Sequence, residues 1–236
     1  PVGTVVDGDM RTPSEKTAPL DLLANHGFNV EGFQAERVRI VATEIDQVML
    51  SASLGKRMKL LRMMMRGLGD WNLNKPSHEA FTGYELSENT IFEEEHAELL
   101  TLCRNSPRAL LHSLNPDERR EAARLSAMLR DPDPITASRI IDAITEKTPA
   151  EDDFHYLCCL ACIKAPFTGE QVQRIAHAVI ALDGKTGGQQ MRTKQTYIDR
   201  LNEVVARIAK KAPLYQKLID NDGFARPNHA SIACSF

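Results

Sequence analysis

Four proline junctions punctuate the middle of the chain: Ser106-Pro107, Asn115-Pro116, Asp133-Pro134 and Thr148-Pro149. Each joins a helix-capping residue to the residue that best opens a helix. Proline suits the first helical position because the N–H it lacks would be unpaired there. The preceding side chain accepts a bond from a free N–H of the first turn. Asn115 with Glu118, Thr148 with Glu151 and Thr168 with Gln171 read as capping boxes, the last following Pro166. Helix starts are therefore expected near 107, 116, 134, 149 and 169. From 116 to 149 is 33 residues and from 134 to 169 is 35. Alternate starts at that period imply two helices of roughly 14 residues per unit, joined by short turns. This is the spacing of a helical-hairpin repeat. No tetratricopeptide or ankyrin signature accompanies it.

The flanking sequence is helical too. Val38, Val41, Ile45, Val48 and Met49 form one apolar stripe, and Gly55 separates it from a second helix, KRMKLLRMMMRGLG. Glycines, asparagines and Pro76 mark a loop to Ser87, which is placed to cap ENTIFEEEHAELLTLC. Val172, Ile175, Val179 and Leu182 form a stripe before the loop DGKTGGQQ, and Ile198, Leu201, Val205 and Ile208 form another after it. The expectation is an all-α protein. Residues 1–86 make an N-terminal arm and irregular helical region, and residues 87–236 a HEAT-like helical-hairpin stack. An irregular α-bundle is the alternative.

Composition bounds the function. The 236 residues are 42% hydrophobic and 26% charged, ordinary for a globular chain, and no apolar run is long enough to span a bilayer. A net charge of −3 argues against a dedicated nucleic-acid binder. Five cysteines, three of them within five residues, do not read as a secreted disulfide framework, which favours a reducing, cytoplasmic setting. No Gly-rich phosphate loop, GxSxG or HExxH occurs. Asp7-Gly8-Asp9 lacks the further ligands of a calcium loop and reads as a turn.

Two stretches carry potential chemistry. In FHYLCCLACIK, His155, Cys159 and Cys162 fall within about 60° on one helix face, so zinc or haem iron is geometrically open to them. Packing is preferred, because cysteine packs as a small hydrophobe and the run is apolar on nearly every side. Structural zinc sites usually draw on two segments, and the single CxxC has no partner pair. In KRMKLLRMMMRG, Lys56, Lys59, Arg62 and Arg66 line one side, fit for an acidic partner or a phosphate backbone. The plain alternative is a solvated face over a core stripe. The acidic run Glu93-Glu94-Glu95 with Glu98 could suit a basic partner or a second copy of the chain, but a solvated helix face is the preferred reading.

EDDFHYLCCLACIKAP, the helix ending IALDGK and the closing IDNDGFARPNHASIA resemble segments of large HEAT-like helical-repeat proteins of planctomycete-type bacteria, over roughly residues 115–233. The resemblance implies a scaffold or interaction domain, part of a larger assembly, and allows an extracytoplasmic location. It carries over no haem site, because the family's CxxCH modules are missing here. The functional expectation is a non-catalytic scaffold for a protein partner or for self-association, with no catalytic residues and no cofactor. The alternatives are a metal or haem protein built on His155, Cys159 and Cys162, and a nucleic-acid binder built on Lys56–Arg66.

Overall fold

The structure, a computed structural model, describes residues 47, 49–70, 79–86, 97–186 and 191–219. The stripe from Val38 to Ile45, the Trp71 loop, the cap at Ser87, the acidic run Glu93–Glu95, the end of DGKTGGQQ and the C-terminal tail lie outside these residues. Within them the chain is all-α. The helices are α1 (Leu54–Leu68), α2 (Ala97–Leu110), α3 (Pro116–Met128), α4 (Pro134–Asp142), α5 (Ala150–Cys162), α6 (Gly169–Lys185), α7 (Met191–Ala209) and α8 (Leu214–Ile219), with a 3-10 turn at Glu79–Phe81. No β-strand occurs among the described residues, although one isolated antiparallel bridge joins Gly69 to Leu86.

Local chemistry sets several of these starts. Asn115 accepts from Glu118 N–H at 3.0 Å, Asp133 from Ile135 N–H at 2.9 Å, and Thr168 exchanges both bonds of a full capping box with Gln171. Other expectations are corrected. α2 runs straight through Pro107 instead of starting there. The proline removes one helical N–H, but Leu111 N–H still reaches Pro107 O at 3.0 Å, and buried Cys103, Ser106 and Leu110 hold both sides of it in the core. The Asn115 box is half formed, because the Glu118 carboxylate turns to Arg57 and Ser113. The Thr148 box does not form. The helix is entered at Pro149 without a side-chain cap, while the Thr148 hydroxyl binds Thr145 and faces Asp153. The break expected at Gly55 falls at Ala52–Ser53, and Gly55 lies in the first turn of α1. The loop expected from Asp183 starts later, because α6 continues to Lys185.

The helices alternate in direction. Arg57–Glu118 and Arg62–Glu121 set α1 parallel to α3. His155 against Arg120 O and Lys164 N–H on Asp131 O set α3 parallel to α5. Phe154 beside Tyr197 and Lys211 on Ile163 O do the same for α5 and α7. Gln171 on Ser138 and Arg174 on Asp142 align α4 with α6. Lys185, the last residue of α6, meets Asp153 near the start of α5, so α6 runs antiparallel to α5. One cluster of buried apolar side chains extends from Met49 to Leu218, and Phe81 and Leu86 belong to it, so packing is continuous across residue 86.

Buried ion pairs tie helix ends together. Glu118 is fully buried and receives Arg57 at 2.5 and 3.2 Å, together with the Ser113 hydroxyl. Burial opposes its ionisation, but the hydrogen bonds from Arg57 and Ser113 and the guanidinium charge hold its carboxyl below the usual range. Asp131, also fully buried, is met by Arg108 and by Thr136 Oγ1 at 2.8 Å. Removing one partner strands a charge in a low-dielectric interior. Arg57→Ala is therefore expected to lower unfolding free energy by about 3 kcal/mol in urea denaturation. Arg62→Ala, at the exposed Glu121 pair, is expected to change it by less than about 1 kcal/mol.

Candidate functional site

The run FHYLCCLACIK builds the larger, C-terminal part of α5 and its C-cap, and α5 is packed against α3, α4, α6 and α7. Every residue from His155 to Ile163 is buried. The sequence places Asp153 one turn into the helix and Cys162 at its end, so both ends of α5 need partners from elsewhere. At the N-terminal end Lys185 Nζ donates to Thr145 O at 2.6 Å, Thr148 O at 2.9 Å and Asp153 Oδ2 at 2.5 Å. At the C-terminal end Lys211 Nζ donates to Leu160 O and Ile163 O, both at 2.7 Å, and so meets the negative end of the helix dipole.

His155 is 4% exposed, and both ring nitrogens are engaged. Nε2 lies 3.0 Å from Arg120 O, a group that only accepts, so Nε2 carries the proton. Nδ1 then accepts from the Tyr84 hydroxyl at 2.8 Å. Arg124 lies over the Tyr84 ring, 5.0 Å from its centroid. Burial first, and the Arg124 charge second, push His155 down to about 3, so it is neutral. Cys159 Sγ is 3.7 Å from Nε2. That nitrogen holds its proton toward a carbonyl, so it is no base for the thiol. Burial raises Cys158 and Cys159 well above the ordinary thiol range and Cys162 to about 12. A nucleophilic or metal-binding cysteine needs the thiolate, and these surroundings disfavour it.

The structure thus brings His155 next to Cys159, with Cys162 one turn further along the same helix. Among the described residues no group of three or more His, Cys, Asp or Glu side chains is arranged to hold a metal ion. Tyr84, Arg120 and Arg124, which complete the His155 environment, carry no signal in the sequence. Tyr84 lies 71 positions from the histidine it binds, in a segment without helical periodicity.

On the surface, Lys56, Lys59, Arg62 and Arg66 are all exposed along one side of α1, and Leu60, Leu61, Met64, Met65 and Leu68 are buried beneath them. Arg62 meets Glu121 at 3.1 Å. An open cleft of about 350 Å³ lies between the α4–α5 connection and α6, over Ile141, Ile144 and Ile175. Several of its polar groups are satisfied internally: Lys185 as above, Arg174 by Asp142 at 2.8 Å, and His177 by Gln173 at 3.0 Å. No described helix is long and apolar enough to cross a membrane. Comparison with family models, curated proteins and solved structures finds no match for the chain.

Two outcomes are expected. The folded pKa of His155 lies below its unfolded value of about 6.5, so the unfolded chain takes up the proton first and acid favours unfolding. The stability this neutral histidine permits is complete above pH ~6.5 and is lost toward pH ~3. Between pH ~6.5 and ~5, where carboxylates stay ionised, urea denaturation is expected to show a loss of about 2 kcal/mol. His155→Gln should flatten that slope while lowering stability at neutral pH. Cys158, Cys159 and Cys162 should react with a thiol reagent only at the rate of unfolding, with or without added zinc. Fast labelling of the folded chain, or zinc-dependent protection, would refute the packing of this helix.

Proposed function

We propose that this chain is a non-catalytic helical scaffold, an interaction domain that presents its surface to a protein partner. The observation that carries this is that large aliphatic side chains are left in solvent before and at the start of α1 and in the α2–α3 turn. Leu114, in the α2–α3 turn, is 95% exposed, and Leu50 and Leu54 are 58% and 39% exposed. Leu114 adjoins Ser113, whose hydroxyl donates to Glu118. Arg57 bonds the same carboxylate and Ala52 O, and it follows Leu54 by three positions on α1. Leu54 and Leu114 therefore flank one buried ion pair. Exposed aliphatics beside a rigid polar anchor are a common signature of a protein interface.

The alternating helix directions and the starts at 116, 134, 150 and 169 support a HEAT-like reading of α3 to α6 as two stacked hairpins. Such stacks offer extended surfaces instead of a deep catalytic pocket. The buried polar groups support the same view. Most join helix ends or fix His155, which leaves little chemistry facing a ligand.

The test is a photo-crosslinking residue at position 114, with exposed Lys147 as the control position, in the native cell. A discrete protein adduct from position 114 and none from position 147 is the expected result. Adducts to nucleic acid alone, or no discrete adduct at 114, would overturn the proposal.

A further inference from the structure

We propose that the cleft between the α4–α5 connection and α6 binds a small amphipathic amine, a primary ammonium group carried on a hydrocarbon body. The site shares no residue with the surface around Leu114, so each stands or falls alone.

The cleft follows from the sequence of α6. Arg174, Ala178, Ala181 and Lys185 recur at three or four residues, so they lie along one side of the helix. Two alanines occupy the middle of that side, and their short side chains leave about 350 Å³ open against Ile141 and Ile144. Small-molecule sites occupy about 300–1,000 Å³. Ile175 completes an apolar floor whose side chains offer no hydrogen bond, so the body of the ligand is hydrocarbon.

Charge selects the rest of the ligand. Four charged side chains line the cleft: Glu146, Asp153, Arg174 and Lys185. Lys185 spends its three donors on Thr145 O, Thr148 O and Asp153 Oδ2. Asp153 also faces the Thr148 hydroxyl, and Arg174 has Asp142 at 2.8 Å. Glu146 alone of the four has no ion-pair or hydrogen-bond partner among the described residues. Its backbone is fixed nonetheless: Thr145 N–H donates to Thr148 Oγ1 at 3.0 Å, and Lys185 holds the carbonyls of both threonines. The unmet charge is negative and calls for a cation. A phosphate or carboxylate ligand meets cations that are already engaged. A divalent metal meets one open carboxylate where it needs several oxygen ligands. A quaternary ammonium lacks its aromatic cage, since no Phe, Tyr or Trp lines the cleft among the described residues. A primary ammonium needs only the carboxylate and water.

The experiment is a titration of the whole chain with phenylbutylammonium, phenylbutanol and phenylbutyrate, followed by backbone amide NMR shifts. The three probes share a hydrocarbon body and differ in charge. Phenylbutylammonium is expected to saturate in the millimolar range and to shift the amides of Ile144, Glu146, Ile175 and Ala178. Glu146→Gln should weaken it at least about threefold, the order of one exposed charge contact. Asp117→Asn, at an exposed carboxylate of α3, should leave it unchanged. Ala178→Leu, which fills the cleft, should abolish binding of the amine. Thermal melts confirm folding of each variant, and Ala181→Leu replaces Ala178→Leu if the latter unfolds the chain. Failure to saturate in the millimolar range, or shifts centred outside the cleft, overturns the proposal. So does equal binding of phenylbutanol, tighter binding of phenylbutyrate, or undiminished binding to the folded filled variant.

Discussion

The burial of α5 on all sides is the constraint on which the rest of this structure depends. A helix surrounded by four others cannot send its polar groups to water, so each must find a partner inside. Asp153 takes Lys185 from the end of α6. His155 takes Tyr84 and Arg120 O. The free carbonyls at the C-terminal end take Lys211 from beyond α7. Each bond also helps fix the direction of a neighbouring helix, so satisfying α5 orients much of the packing around it.

The same logic runs through α3. Glu118 and Asp131, near its two ends, are fully buried, and each is held by an arginine from a preceding helix. A buried ion pair is an inefficient source of stability, because desolvation offsets much of its attraction. It is a strong source of specificity, since a slipped helix would leave an unpaired charge in the core. The apolar packing supplies the free energy: fully burying a leucine such as Leu157 or Leu160 contributes about 1.5–3 kcal/mol.

This economy bears on function. Thiols and an imidazole gathered on one helix suggest chemistry, yet the imidazole is neutral, with its proton toward a carbonyl, and the thiols are held protonated by burial. Outside the core, Lys56, Lys59 and Arg66 of α1 and Leu114 of the α2–α3 turn are exposed.

The sequence by itself determined the all-α class and most helix starts. A proline after Asn115 or Asp133 and the Thr168–Gln171 box act through bonds within a few residues, where tertiary context has little leverage. It also marked the cation row of α1, because helical geometry alone puts those side chains on one face. Tertiary structure decided the rest. Packing carried α2 through Pro107, and Asp153 with Lys185 took up the chemistry around Thr148 that a capping box would have used. The tautomer and charge of His155 were set by Tyr84, Arg120 and Arg124, residues remote in sequence whose approach no periodicity encodes. Short-range hydrogen bonding is written in neighbouring residues, whereas the protonation of a buried group depends on which distant segments exclude its water.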